Sequence, residues 1–107
     1  MQPGELSISA ITFAELANGV QKSAHVEANL KRLNLLAELL VILPFDRQAA
    51  IAYGNVRSTL EKQGKVIGGN DLLIAAHALS IGYTLVTNNE REFKRVDGLK
   101  VENWIED

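Results

Sequence analysis

The stretch IGGNDLLIAAHALSIGYTLVT, Ile67–Thr87, decides the fold class. Two glycines and Asn70-Asp71 lead into an almost wholly apolar run that Gly82 closes, as a helix with a glycine stop would be written. TLVT, Thr84–Thr87, follows at once and is short, apolar and β-branched, the pattern of a buried strand. Helix passing straight into strand is one step of an alternating α/β chain. Asp71 at the mouth of so apolar a helix has two readings. It complements the positive helix end, or it faces a cleft and holds something there.

Working outward, the same alternation recurs. LSIS, Leu6–Ser9, alternates as a half-buried strand does, and from Thr12 a helix carries Phe13, Leu16, Ala17 and Val20 on one face, fading at Gly19. A longer helix through HVEANLKRLNLLAELL carries Leu30, Leu33, Ala37 and Leu40 as its stripe, and VILP, Val41–Pro44, reads as a buried strand stopped by proline. Asp46 then caps a helix to about Gln63 with the stripe Ala49, Tyr53, Val56 and Leu60, ended by Gly64. After TLVT come a short helix around Glu90–Phe93 and a strand in LKVENW. Strands alternating with helices imply a parallel sheet covered on both faces, a three-layer α/β fold, here as one domain over 1–107. In such sheets ligands bind beyond the carboxyl ends of the strands. The residues after LSIS, those after TLVT and the start of the Asp71 helix are therefore expected near one another.

Composition narrows the function classes. Hydrophobic residues make up 47% and charged residues 22%, an ordinary globular balance, and the formal net charge of −2 gives no global argument for a nucleic-acid partner. Two local basic clusters stand out. Arg91, Lys94 and Arg95 form one, and Lys62 and Lys65 bracket a glycine turn. Both read as solvated surface that permits, without predicting, a phosphate-contacting rim. With no cysteine, disulfides and thiolate metal sites are excluded and a reducing cytoplasm is the expected home. The longest apolar run, Leu39–Phe45, is too short to span a bilayer, and no signal peptide is expected from the opening MQPGELS.

Among chemical motifs, Gly68-Gly69 lacks the remainder of any nucleotide-binding loop, and no Gly-x-Ser-x-Gly elbow occurs. His25 reads as surface, and His77, between Ala76 and Ala78, as a hydrogen-bonded structural histidine. Their spacing is not that of zinc ligands. Carboxylates remain. Glu15, Asp71 and Glu92 each fall near the proposed carboxyl edge of the sheet. Each alone is explained by the helix dipole, but three converging acids repel one another unless a hard cation such as Mg²⁺ or Mn²⁺ neutralises them. Such a site suits phosphodiester hydrolysis.

SISAITFAELANGVQKS, PFDRQAAIAYGNVRSTLEKQGKVIGGNDLLIAAHAL and TLVTNNEREFKRVDGLKVENW together resemble PIN-domain proteins, and most closely the VapC-type toxins of bacterial toxin–antitoxin pairs. The resemblance covers nearly the whole chain in order. It implies a magnesium-dependent endoribonuclease that cuts RNA, often tRNA or rRNA, to leave a 5′-phosphate and a 3′-hydroxyl. It also implies restraint by a small VapB-type antitoxin, and homodimerisation. Glu15 matches the acid of the family's Thr-x-x-Glu-Leu motif, and Asp71 that of Asn-Asp-x-x-Ile-Ala. Asn89 and Glu92 are both candidates for the fourth acidic region. Thr87 and Asn70 are candidates for contact with phosphate or metal-bound water, helix capping being the other reading of Asn70. The family's opening strand, ending in Leu-Asp-Thr-Asn, has no counterpart here, so the chain reads as an N-terminally incomplete PIN-like domain. A catalytically inactive module that binds an antitoxin or itself is the alternative function, and a strand supplied by another chain is a further reading of the gap.

Overall fold

The computed structural model describes residues 7–87 and 89–103, and these fall into two compact units that divide after Pro44. In the first unit, β1 (Ser7–Ser9) runs directly into α1 (Ala10–Gln21). The turn from strand to helix is made by Ser9, whose extended backbone and side-chain oxygen, accepting from the Ile11 N–H at 3.1 Å, satisfy an orphan donor of the first turn. Ser23 closes the helix by donating to the Val20 carbonyl at 2.6 Å, and Asn29 donates to the Ser23 hydroxyl at 3.0 Å. That chain of bonds sets the start of α2 (Val26–Leu39) against the end of α1. β2 (Val41–Leu43) pairs parallel with β1, Ser7 opposite Val41 and Ser9 opposite Leu43.

Two expectations change here. Leu33 is buried as its stripe requires, but Leu16 and Leu30 are 42% and 40% exposed, and α1 has no fully buried residue. Val41 is likewise 49% exposed, so β2 is a half-covered strand and not a buried one. Among the described residues this unit sets only two three-residue strands beside its helices, too little surface to bury both apolar stripes. Leu6 and Trp104, the ends of two expected strand segments, lie outside the described residues.

The second unit is built on a helix pair. Asp46 caps α3 (Arg47–Gln63), its Oδ1 accepting from the Ala49 N–H at 3.0 Å. Gly64 ends it in the left-handed region at φ 68°, and the Lys65 N–H turns back to the Leu60 carbonyl at 2.9 Å. That conformation costs a Cβ-bearing residue ~1 kcal/mol or more, which is why glycine stands there. α4 (Gly69–Ile81) packs along α3. Ala49, Ala75 and Ala76 are fully buried, so small side chains let the two helices lie close, while Val56, Leu60, Ile67, Leu72, Phe93 and Val96 fill the space around them. The stripe read from Ala49 to Leu60 is thus the core face, with Tyr53 half-buried at its edge.

β3 (Leu85–Val86), α5 (Glu90–Phe93) and β4 (Val101–Glu102) complete the unit. β3 pairs parallel with β4, and the ladder extends one residue beyond β3, where the Thr87 N–H donates to the Glu102 carbonyl at 3.0 Å. The fold is therefore mixed α/β with parallel strands, as expected. Its described strands form two separate pairs, β1–β2 and β3–β4, where one continuous sheet was expected. Val86 is 42% exposed, so β3 too is half-covered. Among the described residues no helix is long and apolar enough to cross a membrane.

Candidate functional site

Each polar side chain of the site is placed by an element terminus. α4 starts from Gly68, which brings no capping side chain, and Asp71 stands in the first turn with its carboxylate folded back toward that glycine. A Cβ on Gly68 would lie 3.7 Å from Asp71 Oδ2, so the carboxylate rests in contact range of the bare backbone. The second segment leaves β3 at Thr87, whose hydroxyl oxygen accepts from the Asn89 N–H at 3.0 Å. This bond folds the chain so that Asn89 faces both acids. Its Nδ2 donates to Glu92 Oε2 at 3.2 Å and, at the long limit of a hydrogen bond, to Asp71 Oδ2 at 3.5 Å.

The structure thus brings Asp71, Asn89 and Glu92 together within the second unit, from two sequence segments. Glu15 belongs to the first unit, on an exposed part of α1, and Asn70 is exposed in the first turn of α4. Thr87 shares the cluster through its bond to Asn89, and its own hydroxyl proton remains available for a further acceptor.

Chemically, two carboxylates are drawn around an amide NH₂ that carries only partial positive charge. Rotation of the Asn89 amide would present an oxygen instead, giving an all-oxygen donor set from two carboxylates and one carbonyl. Mg²⁺ takes such sets, held by one or two carboxylates while keeping several waters. Among the described residues no three of histidine, cysteine, aspartate and glutamate group to hold a metal, so the donor set fits a hydrated hard cation and not a closed protein cage.

His77 is outside this chemistry. It is 2% exposed and meets the Phe45 ring edge-on at 5.4 Å. Burial lowers its pKa from the ordinary 6.5, opposed in part by the Asp46 carboxylate. The unfolded chain therefore takes up a proton near pH 6.5 that the native protein resists. The contribution of neutral His77 is full above that pH and is lost as pH falls through 6.5 toward the lower native value. Urea unfolding at about pH 7.5 and about pH 5.5 is expected to show a loss of stability that His77→Gln removes. An equal acid loss in both proteins would assign it to other groups.

What the sequence missed is Asn89 as the bridge between the two acids. It stood only as an alternative to Glu92, and the Thr87-x-Asn89 turn that aims it is a weak local signal. Also missed was the meeting of the two basic clusters, since the Arg95 Nη1 donates to the Val66 carbonyl at 3.1 Å. No pattern in one segment shows such a bond.

Acids at a helix start and after a parallel strand of an α/β chain fit the PIN-domain class. The family model for that domain matches residues 1–99, and the chain belongs to the PIN-domain family. Its similar relatives are VapC proteins. It is 46% identical to Ribonuclease VapC2 of Haemophilus influenzae over 102 residues, covering 95% of this chain and 77% of that one. To the tRNA(fMet)-specific endonuclease VapC of Shigella flexneri it is 40% identical, covering 97% and 79%. In structure it resembles VapBC2 from Rickettsia felis, solved bound to a DNA fragment from its promoter, with TM-score 0.90, 46% identity and coverage of 94% and 76%.

Proposed function

We propose that this chain is an endoribonuclease toxin of a VapBC-type toxin–antitoxin pair, hydrolysing RNA with Mg²⁺ (or Mn²⁺) at the site formed by Asp71, Asn89 and Glu92. The observation that carries the reading is the convergence of the two acids on Asn89. Relatives named as ribonucleases and a tRNA endonuclease support it. Glu15 joins the metal ligands by its match to the family motif. When bound, the ion supplies Lewis acidity and charge neutralisation at the scissile phosphate. Asp71 and Glu92 would hold it, with Glu15 added by its match to the family motif, and Asn89 would offer its amide oxygen. A carboxylate would accept a proton from the attacking water as the water oxygen bonds to phosphorus, and as the bond to the 3′ oxygen breaks that oxygen would take a proton from solvent. The products are a 5′-phosphate and a 3′-hydroxyl. Thr87 has a proton to donate to a phosphate oxygen, and Asn70 stands beside Asp71 to orient it.

The partner is a VapB-type antitoxin, the role being supported by likeness to VapBC complexes. A specific feature fits a protein partner: α2 exposes Leu35 at 61% and Leu39 at 81%. Leu35 and Leu39 stand one turn apart, so they share one face of α2. A second copy in a homodimer is the other occupant. The same face sustains the second reading, a non-catalytic module that binds antitoxin or itself.

The test is cleavage of tRNA and rRNA fragments with and without Mg²⁺. Wild-type protein is expected to cut only with the metal, and Glu15→Gln and Glu92→Gln each to lower the rate by roughly 10²-fold. Cleavage unaffected by chelator would remove the metal from the reading. No cleavage by wild type, with antitoxin binding intact, would establish the non-catalytic module.

A further inference from the structure

Two segments of the second unit are tied together at both ends. At one end Asn89 reaches Asp71. At the other, the Arg95 guanidinium reaches the Val66 carbonyl. Residues 65–71 and 89–95 therefore run in opposite directions, with Asp71 and Asn89 at one end, Arg95 beside the 65–66 segment at the other, and Glu92 between them. Asn89 and Arg95 are six positions apart around the short helix α5, a rise of at most about 9 Å at about 1.5 Å per helical residue. That is about the separation of neighbouring phosphates along one strand, so the two ends would meet adjacent nucleotides.

The basic end is pre-arranged. The Lys65 backbone is held by its N–H bond to the Leu60 carbonyl behind the left-handed Gly64, its side chain exposed, and the Arg95 N–H bonds the Glu92 carbonyl at 3.1 Å. The bond to Val66 uses one guanidinium N–H, leaving others in a fixed fork suited to phosphate. Among the described residues the ion pairs are Arg57–Glu61 and Lys94–Glu90, and no described carboxylate pairs with Lys65 or Arg95. Lys62, one turn earlier at the end of α3, adds to the same charge.

We propose that Lys65 and Arg95 form a phosphate-gripping rim that holds the backbone of a single-stranded RNA beside the acid cluster. The rim rests on the ribonuclease reading and adds to it where the strand lies. It contacts no base, so it contributes affinity and register and no sequence preference.

The experiment is binding of a fluorescent single-stranded RNA to the full chain in chelator, which prevents cleavage, across a salt series. Lys65→Gln and Arg95→Gln are each expected to weaken binding by about fivefold at low salt and to reduce the slope of log affinity against log salt by ~0.7. Lys31→Gln on α2 makes the same charge change and is expected to leave binding as in wild type. Melting curves accompany each variant, and if Arg95→Gln is destabilised then Lys65→Gln, at an exposed loop, decides alone. Wild-type affinity and slope in Lys65→Gln would overturn the rim, as would an equal loss in Lys31→Gln. A loss confined to double-stranded DNA would overturn it also. Wild-type protein that binds no RNA would instead overturn the ribonuclease reading, and the rim with it.

Discussion

Asp71→Asn is expected to reduce RNA cleavage at least ~100-fold, about 2.7 kcal/mol of lost transition-state stabilisation, while the protein stays folded. The substitution preserves the shape of the side chain and removes its charge. Asn89 would then face one carboxylate where it now faces two, and a divalent ion would lose an anionic ligand that a neutral amide cannot replace. Metal affinity, read by titrating Mg²⁺ in the cleavage assay, should fall in parallel. The stability cost is bounded by the helix dipole at up to ~1 kcal/mol, which a melting curve separates from the catalytic loss. Cleavage within a factor of a few of wild type would show that Asp71 serves α4 alone.

Leu60→Ala is expected to destabilise the fold by about 3 kcal/mol, within the ~2–5 kcal/mol range for buried leucines. Leu60 is 2% exposed and stands in the cluster with Val56, Ile67, Leu72 and Phe93, where α3 meets α4 and α5. Its loss removes apolar contacts and leaves a void that neighbours held by helix geometry fill only partly. Urea unfolding should show a lower midpoint with an unchanged slope. Because the same cluster supports both segments that carry the acids, metal affinity should weaken as well. A cost under ~1 kcal/mol would mean that the site collapses around the smaller side chain.

Much of this was legible in the chain. Glycine 64 and glycine 82 ended their helices where φ turns positive, and Asp46 capped α3, because caps and stops act over a few adjacent residues. The short helix Glu90–Phe93 and the strand segments around 85 and 101 fell where they were expected. Less legible were the degrees of cover. Leu16, Leu30 and Val41 obey the right periodicity but remain substantially exposed, since periodicity says which side is apolar and not what lies against it.

The sequence by itself determined the α/β alternation, the glycine ends of α3 and α4 and the family, and it marked Asp71, Asn89 and Glu92 as candidates, while α1 runs from Ala10 to Gln21 where Thr12 to Gly19 was expected. Those features depend on spacing along one strand of chain. Only the tertiary structure decided that Asn89 bridges two acids from different segments, that Arg95 locks onto Val66 beside Lys65, and that the described strands pair as two ladders. Each depends on which surfaces meet once α3 and α4 have packed, and hydrogen bonds across 18 or 29 residues leave no trace in local pattern.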